Sequence, residues 1–374
     1  MFSSLSTPAL GKSAIKGALE DARVAEALVE EVFMGCVLSA GLGQASGRQA
    51  ALGAGLPVSV PCSTINKVCG SGMKAVALAH DAIQKGLGIT LGGGMENMTR
   101  APYLLAQGRQ GYRLGHGTLI DHVFYDGLED AYEPGTLMGV FADRTAEAYN
   151  ISREDQDAFA ARSVARAREA IEAGWFESQI IPVPVPMGKE TKEMTQDEPP
   201  YKAMPEKLPR LKAIFSPNGT VTAGSSSSNA DGAAALILAS AEAAKKLQAR
   251  PRAAIVGIAQ HSQEPQWFTT APVGAIKKLL AQLNWNAKDV DLWEINEAFA
   301  IVSLAAMKDL NLSADQVNVH GGACALGHPI GASGARVLVT LLGALEHRSL
   351  RRGIAAVCIG GGEAIAMAID RQQG

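Results

Sequence analysis

The chain has 374 residues, enough for two or three domains, and its 47 % hydrophobic content supplies sizeable cores. Forty glycines beside 5 % aromatics favour closely packed helices on sheets over a β-sandwich, and a net charge of −3 argues against a general nucleic-acid binder. There is no run of about 18 apolar residues and no charged-then-apolar start, so neither a membrane span nor a signal peptide is expected.

Ser6-Thr7-Pro8 reads as a helix start, with the helix running to about Glu20. A strand-like stretch, Glu31 to Leu38, is followed by a small-residue helix over Gly43 to Leu52 that carries Arg48. Val58 to Asn66 then leads into Cys69. From Met73 the residues Met73, Val76, His80 and Ile83 recur at helical spacing, and Gly86 supplies a stop. Ile89 to Leu91 and Gly92 to Glu96 read as a strand and then a glycine loop.

From Arg100 to Thr220 the character changes to an excursion rich in Tyr, Pro and Gly. It holds one clear helix, Arg153 to Ala173, with Ser152 and Asp155 as reciprocal caps and Gly174 as stop. Residues 188–200 read as irregular exposed chain, and Lys202, Lys207, Arg210 and Lys212 as phosphate ligands or a solvated face. The α/β pattern returns with Ser225 to Ser228 and the apolar Ala233 to Ala239. Strands over Ala254–Ile258 and Val290–Ile295 enclose a helix over Gly274–Leu283, and Asn296-Glu297 is expected to open a helix to Leu310. The tail gives a loop from Gly327 to Gly331, a helix from Ser333 and a final strand over Ile354–Cys358.

The two ends of the core echo each other. Ser71-Gly72-Met73-Lys74 matches Ser333-Gly334-Ala335-Arg336 in residue class, and each helix leads to a strand ending in three glycines, Gly92–Gly94 and Gly360–Gly362. Two similar halves would bring equivalent loops to one cleft. Cys69, directly ahead of a helix N-terminus and flanked by Gly70, suits a thiolate nucleophile; a buried cysteine in a tight turn is the alternative reading. His328, between Gly327 and Pro329, is the best-placed base. Cys358 reads as a second acid/base or a core cysteine, and N–H groups at Cys69 and in the 359–362 loop suit an oxyanion. The five cysteines form no C-x-x-C pair and the seven histidines show no metal spacing, so a reduced cytoplasmic chain without metal is expected, and its Asn-x-Ser/Thr triplets are chance matches.

Asn66 to Gly72, Gly93-Gly94-Met95-Glu96, Asn296-Glu297-Ala298-Phe299, Gly327 to Gly331 with Ser333 to Arg336, and Cys358 to Gly362 together resemble the thiolases over nearly the whole chain. The resemblance implies an α/β thiolase fold, two similar halves in α-β-α-β-α layers with an inserted loop domain. Its division would be 1–99 plus 219–249, 100–218, and 250–374. It implies ping-pong exchange between acyl-CoA plus acetyl-CoA and 3-ketoacyl-CoA plus CoA, with coenzyme A as substrate and no permanent cofactor. It assigns Cys69 as nucleophile, His328 as its activator, Cys358 as the α-carbon acid/base and Asn296 as holder of an oxyanion-hole water. Backbone N–H groups of Cys69 and Gly360 would form the other oxyanion hole. Ser227 would contact the pantetheine arm, and Leu137, Met138 and Phe299 would border the acyl pocket.

A homodimer or homotetramer is implied, with no nucleic acid or membrane partner. A decarboxylating ketoacyl synthase of the same fold and an inert CoA- or lipid-binding relative are the rival readings. Three departures stand out. The chain starts later than thiolases normally do and lacks the opening strand, expected centrally in the first sheet, so another segment fills the gap or stability is lowered. The segment around Gly86 to Ile89 is short. Leu137 stands where acetoacetyl-specific members carry His, a lean towards longer or broader acyl chains. The place of Glu363 after the last glycine triplet is unassigned.

Overall fold

The computed structural model describes residues 1–371. The first half contains α1 (Thr7–Ala22), β1 (Glu31–Gly35), α2 (Ser46–Gly53), β2 (Cys62–Ile65), α3 (Ser71–Gln84) and β3 (Ile89–Asn97). As the sequence predicts, Ser6 caps α1 through its hydroxyl and proline stands in the first turn. The excursion holds β4 (Tyr103–Leu104), β5 (Ile120–Asp121), α4 (Met138–Ala148), α5 (Arg153–Glu172), β6 (Val183–Met187), β7 (Glu190–Met194) and α6 (Pro199–Lys202). The Ser152–Asp155 capping box is present at α5. Chain 188–200 is not irregular throughout: β6 and β7 pair as a hairpin, whose free edges tolerate Pro184 and Pro186.

The core resumes with β8 (Asp231–Ala239) and α7 (Ala241–Lys246). The second half has β9 (Ala254–Ser262), α8 (Ala271–Leu283), β10 (Leu292–Ile295), α9 (Ala300–Leu310), α10 (Ala323–Leu326), α11 (Ile330–His347), β11 (Arg352–Ile359) and β12 (Glu363–Asp370). Helix α9 begins at Ala300, so Asn296 and Glu297 lie in the loop before it. Strand β12 has no counterpart in the sequence reading; its alanine-rich run Ala364 to Ala368 carries no alternation because both faces are buried.

The sheets run β2-β1-β3-β8 and β10-β11-β12-β9. Helices α1 and α2 cover the outer face of the first sheet, α3 and α11 fill the space between the sheets, and α8 and α9 cover the second. This is the five-layer α-β-α-β-α arrangement expected. The repeat is real: β1, β3 and β8 match β10, β11 and β12 in order and direction. The glycine triplets are not equivalent, however. Gly92–Gly94 lie mid-strand in β3, paired on both sides, because a side chain there has no room: a Cβ on Gly92 would sit 2.6 Å from the Val76 backbone of α3. Gly360–Gly362 instead form the β11–β12 turn, with Gly361 and Gly362 at φ +89° and +84°.

The place of the opening strand is also corrected. In the second half β9 pairs with β12 at the sheet edge, so the corresponding place in the first sheet is the outer edge of β8. The central strands β1 and β3 keep partners on both sides.

His320 is fully buried where α5, α10 and α11 meet, against Trp175 (5.0 Å between ring centroids), Phe176 and His347. Burial first, then Arg348 and His347, push its pKa down to about 4. An unfolded chain regains the ordinary histidine value and binds more protons below it, so stability present above about pH 6.5 is lost as the pH falls towards 4. The full shift corresponds to up to about 3 kcal/mol. Thermal melts of His320→Asn between about pH 6.5 and 4.5 are expected to show a shallower acid slope than the parent; parallel slopes would refute this assignment.

Candidate active site

Cys69 sits at the end of the β2–α3 loop, one residue before the Gly70 cap of α3. The loop is tightly wired. Asn66 Oδ1 accepts the Val68 N–H (3.0 Å), Ser71 Oγ accepts the Lys67 N–H (2.8 Å), and the Ser71 hydroxyl donates to the Val68 carbonyl (2.6 Å). These bonds hold Val68 at φ +46°, a left-handed conformation that a β-branched residue rarely adopts. The strained residue directly before the cysteine turns it out of the strand line, and local strain of this kind accompanies functional sites.

Two backbone N–H groups, its own and that of Gly360, approach the Cys69 sulfur. Burial dominates all the same and pushes the thiol up to about 11, with the N–H groups opposing and Glu96 adding a smaller upward push. Cys358, one residue before the end of β11, is fully buried. Its thiol lies well above the ordinary range through burial and then through the negative charge of a Cys69 thiolate, which places the two sulfurs in one electrostatic field. The two loops meet physically as well. A Cβ on Gly360 would lie 3.5 Å from Met138 Sδ and 3.8 Å from Val68 Cγ1, so the first residue of α4 stands over the glycine turn.

His328 lies in the loop between α10 and α11 and is anchored by its N–H to the Ser228 carbonyl (2.9 Å). Its Nδ1 is 2.5 Å from Ser333 Oγ, and the single Ser333 hydroxyl proton goes to the Pro329 carbonyl (2.9 Å). Ser333 therefore accepts from Nδ1–H, which fixes the neutral tautomer and leaves Nε2 with a free lone pair. Nε2 is buried and finds no partner among the described residues. Burial, then the nearby Arg336 charge, pull the imidazole down to about 3, so the ring is neutral at physiological pH. Arg336 also donates to Asn296 Oδ1 (3.3 Å), which turns the amide so that Nδ2 is left buried and unpartnered. Two unsatisfied polar atoms, one a donor and one an acceptor, are thus held ready by neighbours that fix their orientation.

The remaining expected residues divide. Ser227 is tied by its N–H and hydroxyl to the Ala298 carbonyl (both 3.0 Å), beside Phe299, which pairs with Ser226. Ser226 and Ser228 line a cavity of about 610 Å³ with Lys207, Leu208 and Cys324; Ser227 lies outside that lining. Phe299 packs edge-on against Phe215 and Phe268. Leu137 caps α4 and pairs with Glu129.

Three supporting residues escaped the sequence reading. Ser333 and Arg336 stand in the repeat and in the thiolase resemblance, but without a role of their own; Ser333 lies five residues after His328. Glu96, fully buried, accepts N–H groups from Val37 (3.0 Å), Leu38 (3.2 Å) and Gly331 (2.9 Å), and so bolts the His328 loop to the first half.

Comparison with known proteins agrees with this geometry. The sequence model of the thiolase N-terminal domain matches residues 1–242 and that of the thiolase C-terminal domain residues 249–371. The chain belongs to the thiolases. It is 49 % identical to acetyl-CoA acetyltransferase 2 of Arabidopsis thaliana, covering 99 % of this chain and 92 % of that protein. With the acetyl-CoA acetyltransferase of Schizosaccharomyces pombe it shares 46 % identity over 99 % of this chain and 94 % of the relative. Among solved structures it resembles the Acat5 thiolase of Ascaris suum in complex with coenzyme A, at a TM-score of 0.93 and 40 % identity, covering 99 % of this chain and 95 % of that one. As a thiolase it is an acyltransferase whose substrates are coenzyme A thioesters.

Ser333→Ala removes the acceptor that fixes the His328 tautomer. Turnover of acetoacetyl-CoA with CoA is expected to fall by roughly tenfold or more, the scale of a mis-set general base. The orphaned buried N–H should also cost about 1–3 kcal/mol of stability. Unchanged turnover would show that the hydroxyl does not set the ring.

Proposed function

We propose that this thiolase works by a ping-pong cycle through an acyl-Cys69 thioester. In the first half, His328 Nε2 takes the Cys69 thiol proton as the sulfur attacks the acetyl-CoA carbonyl; the C–S bond to CoA then breaks and the proton leaves with the CoA thiol. In the second, Cys358 passes its thiol proton to His328 and, as the thiolate, takes an α-proton from another acetyl-CoA. The carbanion attacks the Cys69 thioester, the bond between the acyl carbon and the Cys69 sulfur breaks to release 3-ketoacyl-CoA, and His328 returns its proton to Cys69. The observation that carries this reading is the meeting of the Cys69 loop with the Gly360 turn, two residues along from the buried Cys358, where a Cβ on Gly360 would lie 3.8 Å from Val68 Cγ1. The Gly360 and Cys69 N–H groups both act on the Cys69 thiol. Those N–H groups suit the oxyanion formed at the acyl-enzyme, and Asn296 Nδ2 with His328 Nε2 suits a second oxyanion at the CoA thioester, with a water held by Asn296. Both thiols rest as neutral groups, so each must lose its proton within the cycle rather than before it.

Ser227 is read as the pantetheine contact, and Leu137, Met138 and Phe299 as the acyl border, supported by the stacking of Met138 over Gly360. Leu137 gives that border no polar group, which favours chains beyond acetoacetyl. The three-part division at 1–99 with 219–249, 100–218 and 250–374 follows from the same reading. A homodimer or homotetramer is supported by the apolar side chains Tyr103, Leu114, Leu119, Tyr125 and Tyr132 exposed on the excursion. All five cysteines are free thiols, which favours a cytoplasmic location.

Intact mass after incubation with acetyl-CoA tests the core of the proposal. The parent should gain one acetyl group, Cys69→Ser none. Cys358→Ser should still gain it, yet lose condensation by about a hundredfold or more, since a removed acid/base costs on that scale. Equal loss of acetylation in both variants would contradict the division of roles, and no acetylation of the parent would leave an inert CoA binder. In thiolysis of six-carbon against four-carbon 3-ketoacyl-CoA, Leu137→His should shift the kcat/KM ratio towards the shorter substrate; an unmoved ratio would remove Leu137 from the pocket border.

A further inference from the structure

Glu363 is the first residue of β12 and stands opposite Ile359, so the Gly360–Gly362 turn is closed directly beneath it. Its carboxylate reaches in two directions. Oε2 meets Lys67 Nζ at 2.5 Å, and Oε1 accepts from the Ser262 hydroxyl at the end of β9 (3.0 Å). Lys67 belongs to the other half of the molecule, two residues before Cys69. The ion pair therefore joins the loop carrying the nucleophile to the turn carrying the Gly360 N–H.

We infer that Lys67 and Glu363 are a positioning pair, a clasp that sets the separation of the two N–H donors of the oxyanion hole. The inference rests on the reading of Cys69 and Gly360 given above. The donors come from different halves, and their spacing must hold to within about half an ångström for the hole to work. Other contacts also hold the turn: a Cβ on Gly70 would strike Ile359 Cδ1, and the Gln263 N–H donates to the Gly362 carbonyl (2.9 Å). A Cβ on Gly360 would first meet Met138 Sδ at 3.5 Å, and Gly361 and Gly362 hold positive-φ conformations that favour glycine. Hairpin pairing orders the turn within the second half but says nothing of its distance from Cys69. Between the halves Gly70 packs against Ile359, and the Lys67–Glu363 contact adds the polar tie to that spacing, with Ser262 holding the carboxylate from β9.

The pair does not act by charging the nucleophile. It is neutral as a unit, and the groups that govern the Cys69 thiol are burial, the two N–H groups and Glu96. Partial burial pushes the Glu363 carboxyl up, but the hydrogen bonds from Lys67 and Ser262 outweigh it and hold the group below its ordinary range, so the clasp is ionised at neutral pH.

Lys67→Met, Glu363→Gln and the exchanged double variant Lys67→Glu/Glu363→Lys are compared with the parent for Cys69 acetylation, for kcat and KM in acetoacetyl-CoA thiolysis, and for thermal midpoint. Each single variant should lose about 10- to 100-fold in kcat, the cost of a displaced oxyanion donor, while KM stays within about twofold. The exchange should recover most of that loss, because contacting residues couple. Retained kcat in the singles, or no recovery in an exchanged variant that melts like the parent, would overturn the clasp. A loss of kcat that merely tracks the thermal midpoint, with Lys67→Arg no better than Lys67→Met, would overturn it too. Parent protein that takes no acetyl group at Cys69 would instead sink the reading of the site, and the two failures are distinguishable.

Discussion

The crossing of α3 and α11 in the middle layer governs the rest of the structure. A Cβ on Gly72 would lie 2.7 Å from the Ala335 backbone, and one on Gly334 would strike the Met73 backbone. The helices touch backbone to backbone at their first turns, which only paired glycines allow. That contact brings both helix N-termini, and the loops that feed them, to the same place. Cys69 precedes one helix and His328 the other. Gly92 and Gly94 extend the same logic to the sheet, where β3 passes under α3 and α11 without side chains on that face, while a Cβ on Gly93 would strike the β8 backbone. Glu96 then locks the approach with three buried N–H bonds, two within the first half and one from Gly331 across to the second. The buried carboxylate is costly in isolation, but its bonds to Val37, Leu38 and Gly331 offset the desolvation and define where the His328 loop sits.

This closeness has an electrostatic consequence. Burial favours the neutral forms of Cys69, Cys358 and His328: it pushes the Cys69 thiol up to about 11 and the Cys358 thiol well above its ordinary range, and pulls the His328 imidazole down to about 3. A preformed thiolate–imidazolium pair is therefore not the resting state. The N–H groups on the Cys69 sulfur only partly offset desolvation, and they are worth more when a full oxyanion develops against them, which is the condition for lowering a barrier rather than tightening ground-state binding.

Much of the arrangement was legible in the residues because separate local signals agreed. Helix periodicity after Gly72, the caps at Ser6 and Ser152, and the echoed Ser-Gly starts of α3 and α11 each had a direct physical cause in the fold. The failures share a cause as well. Gly92–Gly94 look like a loop because local propensity ignores the helices lying across them, and β12 is invisible because a strand buried on both faces shows no alternation. The opening strand was misplaced to the centre since sequence order does not report sheet order; β9 beside β12 does. Within the site, Cys69, His328, Cys358 and Asn296 were candidates by residue type, whereas Ser333, Arg336 and Glu96 act through orientation, and orientation has no signature in a single chain.

The duplication explains how one local device came to serve two purposes. At the start of α3, the Ser71 hydroxyl donates to the Val68 carbonyl and accepts the Lys67 N–H, which shapes the strained loop before the nucleophile. At the start of α11, the matching Ser333 hydroxyl donates to the Pro329 carbonyl and accepts from the His328 ring, which fixes the tautomer of the base. Both serines are fully buried and make the same backward bond to a carbonyl one turn earlier. Only the second partner differs, a backbone N–H in one half and an imidazole N–H in the other. A shared helix-start motif thus shapes the loop before Cys69 in one copy and orients the His328 ring in the other. The two copies can diverge in chemistry without changing the glycine crossing that holds them together, because the serine's bonds lie in the loops and not at the helix contact.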